Sequence, residues 1–277
     1  MYKLLKAGWF RLKKDTIFFL FMFLSILIAI FTLIKYKTSW GYVILDEIMN
    51  EFITYIGLFI AIFVSIFVGK EHSEGIIRNK IIAGHSRMSI YLSNLIITVI
   101  AAIICELIYI IITLLIGIPF FGTLRMNFYD FLLNILCTFL IIISFCSIYN
   151  FITMICSEIT ISTIINILIF IIMFILASSL GYVVHSSKYI NNTYIENGVE
   201  HIISQEINPN YPGDEKVELA KIFYLAIPQG QASELMRSND VIKLDTIPLY
   251  NLIIYSVIII LIINSIGLWL FSRKELK

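Results

Sequence analysis

Charge is scarce in this 277-residue chain. Asp, Glu, Lys and Arg together make up 14% of it, against roughly a quarter in an ordinary soluble domain. The 20 basic residues are balanced by 19 acidic ones, which leaves no surplus of positive charge to serve as a nucleic-acid footprint. Cysteine is sparse and unpatterned. Cys105, Cys137, Cys146 and Cys156 fall in or beside apolar blocks with no CxxC spacing, which reads as small buried hydrophobes rather than a metal or redox pair. A phosphate-binding loop is missing too. The single Gly-Lys, Gly69-Lys70, is followed by Glu71 and has no upstream glycine at P-loop spacing, so the chain is expected to bind neither ATP nor its Mg. His72 lies between Glu71 and Glu74 without a second His at metalloprotease spacing, and reads as a surface histidine.

Apolar sequence is plentiful. Hydrophobic residues make up 59% and mean hydropathy is +0.92, arranged in blocks of about 20, the length that crosses a bilayer core. This excludes a secreted enzyme and a disordered regulator. Six spans are expected at Thr16–Ile34, Phe52–Gly69, Leu92–Ile118, Phe131–Met154, Ile161–Val184 and Leu249–Phe271. Between the fourth and fifth only Cys156-Ser157-Glu158 interrupts the apolar run, which predicts a tight helical hairpin. The expected class is therefore an all-α membrane protein with three parts: residues 1–184 with five spans, an outer insertion at 185–248, and 249–277 with the sixth span and tail.

Lys and Arg in short loops orient such a chain. The N-terminal segment, the loop after the second span and the C-terminal tail carry twelve, including Lys3, Arg11, Arg78, Lys80 and Lys277; the opposite loops carry three, Lys35, Lys37 and Arg125. Both termini are expected inside the cell. The basic N-terminus leads into a spanning segment with no small-residue cleavage site, so it is not read as a cleavable signal. Tyr2, Leu5, Trp9 and Leu12 recur at helical spacing, which predicts an interfacial helix on the inner leaflet.

Two stripes mark helix faces. Gly57, Ala61, Ser65 and Gly69 place a small residue at every fourth position of the second span, a pattern that lets helices approach closely within the chain or across a subunit interface. In the third span Thr98, Ala102, Glu106, Tyr109, Thr113 and Gly117 form a polar or small stripe on a helix otherwise rich in Ile and Leu. An acidic residue at a helix centre costs about 2.5–3.5 kcal/mol on insertion, so Glu106 is expected to face protein or water. Packing, the lining of a substrate path and proton coupling remain open roles for it. In the insertion, Asn208-Pro209-Asn210-Tyr211-Pro212-Gly213-Asp214 is a turn signal. Val217, Ala220, Phe223, Tyr224 and Ile227 then give one face of an amphipathic helix, fit to act as a lid or to cap the bundle.

The stretch Gly69-Lys-Glu-His-Ser-Glu-Gly-Ile-Ile-Arg-Asn-Lys-Ile-Ile-Ala-Gly-His-Ser-Arg87 between the second and third spans is the most informative. Ile77 and Ile81 share a helical face, Gly84 stands where a helix closes, and Ser86 can cap the next helix. This predicts a short amphipathic helix with its charges outward. With Glu71, Glu74-Gly75-Ile76 and Ser86-Arg87 in this order, with the six-span layout, and with Tyr224-Leu-Ala-Ile-Pro-Gln-Gly-Gln231 before the last span, the chain resembles the permease subunits of ABC-2 type ATP-binding-cassette transporters. Ile76, Gly84 and Asn94 depart from residues common in that family. The resemblance implies a half-transporter in the bacterial cytoplasmic membrane, paired with a second permease copy or paralogue. A separate cytoplasmic ATP-binding subunit would grip the loop helix, with coupling contacts at Glu71, Glu74, Gly75, Arg78 and Arg87 and an amphipathic peptide or lipid as cargo. A proton-coupled secondary transporter built on Glu106 and a non-transporting sensor subunit are the alternatives.

Overall fold

The structure, a computed structural model, describes residues 1–38, 44–156, 158–196, 199–237 and 247–274, and of 191–204 the backbone alone. Ser157 and Lys277, invoked above, lie outside the described residues. Among the described residues six helices are long and apolar enough to cross a membrane, and the all-α membrane class expected from composition is the class adopted. They are α2 (Thr16–Thr38), α4 (Ile53–Ser73), α6 (Arg87–Phe121), α7 (Phe128–Ile155), α8 (Ile159–Val184) and α11 (Leu249–Arg273). Shorter helices surround them: α1 (Tyr2–Leu12), α3 (Leu45–Met49), α5 (Ile76–Ile82), α9 (Asp214–Leu225) and α10 (Pro228–Arg237).

The spanning helices outrun the apolar blocks that announce them. At 35 residues and about 1.5 Å per residue, α6 is far longer than a ~30 Å hydrocarbon core requires. Its first turn is polar and is started by Ser86, whose Oγ accepts the Ser89 backbone N–H at 3.2 Å. The α7–α8 hairpin closes where expected, between Ile155 and Ile159. A β-hairpin was among the elements not anticipated, with α3 and α10. β1 (Tyr189–Glu196) and β2 (Val199–Ile207) pair antiparallel, from Tyr189 opposite Ile207 to Glu196 opposite Val199. The sequence carries the cue in Asn197-Gly198, a strong hairpin dipeptide between runs rich in Ile and Tyr.

Helices α6 and α7 form the centre. α6 packs mainly on α2, α1 and α7, and α7 on α11 and α4. The small-residue stripe of α4 is an internal contact: a Cβ on Gly57 would come within 2.9 Å of Phe170 and 3.0 Å of Phe145, and one on Gly69 within 3.3 Å of the Ile159 Cα. Ala61 and Ser65 are fully buried on the same face. Asn166 Nδ2 of α8 donates to Ser65 Oγ at 2.7 Å and to Thr153 Oγ1 at 3.0 Å, while Asn264 Nδ2 of α11 reaches Ser147 Oγ of α7 at 2.9 Å. Lipid offers no hydrogen bonds, so such polar side chains join helices instead.

In the insertion, α9 packs along α8, and α10 is wedged among α8, α7 and α4. The buried face of α9 is not quite the expected one. Ala220, Tyr224 and Leu225 are buried, whereas Phe223 is 56% exposed alongside Leu219 and Ile222, because α9 lies mainly against α8 and leaves the neighbouring face uncovered. Gln229, Gln231 and Glu234 of α10 are fully buried and each bonds a backbone group: Gln229 Nε2 donates to Thr54 O at 3.1 Å, Gln231 Nε2 to Leu225 O at 2.7 Å, and Ile247 N–H to Glu234 Oε1 at 3.2 Å. The turn from α9 into α10 is so tight that a Cβ on Gly230 would fall 2.0 Å from the Tyr224 carbonyl oxygen. Overpacking usually costs about 1–3 kcal/mol, and a backbone atom cannot swing aside as a side chain can. Gly230→Ala is therefore expected to destabilise by about 3 kcal/mol, read as a lower unfolding midpoint in detergent. Gly181→Ala, whose nearest contact would be an ordinary 3.4 Å, should leave the midpoint nearly unchanged.

Candidate functional site

The loop between α4 and α6 folds into α5 for local reasons. Gly75 takes a left-handed φ of +67° at the amino end, and Gly84 one of +85° past the carboxyl end, positions that side-chain-bearing residues rarely occupy. Gly84 N–H reaches Ile81 O at 2.9 Å and His85 N–H reaches Lys80 O at 3.1 Å, which closes the helix in a Schellman turn. Ile77 is buried and Ile81 half-buried beneath.

A carboxylate fixes this helix to the bundle. Glu71, in the last turn of α4, is 2% exposed. Its Oε1 is paired with the Arg11 guanidinium of α1 and with Lys80 Nζ of α5 at 2.5 Å; its Oε2 accepts Asn94 Nδ2 of α6 at 2.8 Å. Arg11 is further held by Phe67, donating to its carbonyl at 3.1 Å and stacking 3.8 Å over its ring. Four helices thus meet on one side chain. Burial pulls the Lys80 pKa down from the usual lysine range, with the Glu71 charge acting against it.

A second clasp lies beside it. The Arg87 Nη1, at the start of α6, donates to the carbonyls of Phe271 at 3.3 Å, Ser272 at 3.1 Å, and Lys274. These are end-of-helix acceptors without partners inside α11, which a cation at a helix C-terminus satisfies. Lys274 Nζ in turn donates to Met154 O at 3.0 Å and Ile155 O at 2.7 Å, closing the end of α7.

The five expected coupling residues therefore do not form one surface. Glu71 is buried and Arg87 half-buried, and both join helices of the bundle. Glu74 and Arg78 are exposed, and Gly75 shapes the turn between them. Missed by the sequence reading was Ile82, 75% exposed at the tip of α5. It falls off the face shared by Ile77 and Ile81, and that mismatch was the available signal. The interfacial helix also rotates. Leu4 and Leu12 of α1 are buried against the bundle while Tyr2 and Trp9 point outward, because Gly8 sits against Ile97 of α6 and Arg11 must reach Glu71.

The α6 stripe faces protein. Thr98, Glu106, Tyr109 and Thr113 are all buried. Tyr109 donates to Ile48 O at 2.8 Å, whereas Glu106 Oε2 and Thr113 Oγ1 meet no partner among the described residues.

A scan against protein-family models gives no match, and a search of curated proteins gives none.

Removing one partner from a buried ion pair strands the others, at about 3–5 kcal/mol. Arg11 and Lys80 keep part of their hydration, so Glu71→Gln is expected to cost about 3 kcal/mol and to loosen α1 and α5 together, read as faster amide exchange in both. Glu74→Gln on the open side should change stability by less than about 0.5 kcal/mol.

Proposed function

We propose that the chain is the permease half of an ATP-binding-cassette exporter, driven through α5 by a separate nucleotide-hydrolysing subunit. The observation that carries this reading is the build of α5: held to α1, α4 and α6 by Glu71 underneath, with Glu74, Arg78 and Ile82 presented outward. A helix that only connected two spans would need no such anchorage. A push on its outer face passes into α1, α4 and α6 at once, and through Arg87 into α11. The end bearing α5 also gathers most of the loop Lys and Arg residues, which supports placing it in the cytoplasm of a bacterium. Cargo is read from the family resemblance as an amphipathic peptide or lipid, with export or immunity as the cellular role. The permease would act as a pair with a second copy or paralogue.

Exposed apolar anchors flanked by charge are the usual centres of protein contacts, costing about 2 kcal/mol or more when lost, which is about 30-fold in affinity. Ile82→Asp and Arg78→Glu are expected to release a co-purifying ATPase while leaving the unfolding midpoint within about 0.5 kcal/mol of the parent. Retention of the ATPase by both variants would contradict the docking role. In vesicles holding both subunits, Glu106→Gln should leave ATP-driven export intact and lower stability only. Loss of export in a folded Glu106→Gln protein, with transport driven by a pH gradient and no ATPase present, would favour the proton-coupled carrier.

A further inference from the structure

At the end of the bundle opposite α5, a groove of about 800 Å³ runs between α2, α4 and α8. The volume lies within the range of about 300–1,000 Å³ typical of small-ligand sites. Helix α2 leans on α6 and touches α4 only lightly, so the groove opens sideways. Phe31, Tyr55, Ile171 and Phe174 are all partly exposed along its mouth, where the protein surface meets the acyl region of a bilayer. Its floor is apolar, from Ile28 and Phe59 to Phe170. Its outer end is polar, with Thr32, Lys35 and Glu51.

The polar end is asymmetric. Lys35 Nζ donates to Glu51 Oε1 at 2.7 Å, with Lys35 about half exposed and Glu51 almost wholly buried. The other carboxylate oxygen, Glu51 Oε2, is buried and meets no hydrogen-bond partner among the described residues. A buried acceptor of that kind is costly unless a donor meets it, and an ionised acceptor more so. From Ile28 to Lys35 the groove extends about 10 Å along α2 at 1.5 Å per residue. The site thus offers an apolar slot, an acceptor for a positive N–H donor at its end, and an exposed ammonium beside it for an anion.

We propose that this groove seats a membrane aminophospholipid, a phosphatidylethanolamine-type lipid. The primary ammonium donates to Glu51 Oε2, the phosphate lies against Lys35, and an acyl chain fills the aromatic slot. The Lys35–Glu51 pair matches the two charges of a zwitterionic headgroup, which neither an anionic lipid nor a bare cation does. Choline lipids carry the same charges but no N–H, so they cannot satisfy Glu51. The site stands independently of any ATPase partner.

The full chain is reconstituted in bilayers of equal phosphatidylethanolamine and phosphatidylcholine with identical acyl chains, re-extracted in mild detergent, and its retained lipid quantified. A charge-assisted hydrogen bond predicts about ten-fold enrichment of the ethanolamine lipid. Enrichment should persist for N-methyl and N,N-dimethyl headgroups, which keep an N–H, and vanish for choline. Glu51→Gln is expected to bring retention to the bilayer ratio with an unchanged gel-filtration profile. Should that variant misfold, the methylation series on the parent chain still decides. Equal retention of ethanolamine and choline lipids, a loss of preference at the first methylation, or displacement by an equal amount of phosphatidylglycerol would each overturn the assignment.

Discussion

The Glu71 carboxylate is the point on which the arrangement of the α5 end of the bundle depends. It sits at the foot of α4, out of water, and is tolerated there because Arg11, Lys80 and Asn94 converge on it from three other helices. A buried charge with partners on several elements gives little net stability for its desolvation cost, but it specifies geometry, since displacing any one partner leaves the others unpaired. That is a reason for α1 to lie where it does and for α5 to ride on the bundle. Arg87 and Lys274 extend the same logic sideways by closing the carboxyl ends of α11 and α7.

Within the membrane thickness the constraint changes character. Apolar burial does not drive one greasy helix onto another in lipid, so small residues and hydrogen bonds take over. The stripe from Gly57 to Gly69 brings α4 against α8, and Asn166 ties both to α7 through Ser65 and Thr153. At the other end α10 carries glutamines and a glutamate into the bundle, where each bonds a backbone group, a task possible only where protein rather than lipid surrounds them. The two ends thus differ in kind: charge clasps near α5, a polar plug and an amphiphile-shaped groove opposite.

Much of this was legible in the sequence, for identifiable reasons. Block length marked the six spans, since nothing else in a chain requires some 20 consecutive apolar residues. Gly84 and Ser86 marked the end of α5 and the start of α6, because backbone closure and capping are local chemistry. The stripes on α4 and α6 were visible as spacings, and both face protein. What escaped was set by distant partners. Glu71 and Arg87 look like solvated loop charges until Arg11 and the end of α11, some 60 and 185 positions away, are folded against them. The register of α1 follows from one glycine meeting Ile97, which periodicity cannot reveal. The groove was hidden for a further reason: Lys35 lies in the last turn of α2 while Glu51 lies in the turn between α3 and α4, and neither belongs to a recognisable motif.

The central claim is that α5 is a handle inside the cell, rigidly tied to the bundle and gripped by a nucleotide-hydrolysing subunit. Its most direct test is a photocrosslinking residue placed at Arg78 in intact cells, with the adduct identified by mass spectrometry. The account predicts a covalent adduct to a cytoplasmic ATP-binding polypeptide whose yield changes when nucleotide is depleted. An adduct only to lipid or to a protein outside the membrane, or labelling of that position by a reagent that cannot cross the membrane, would contradict it.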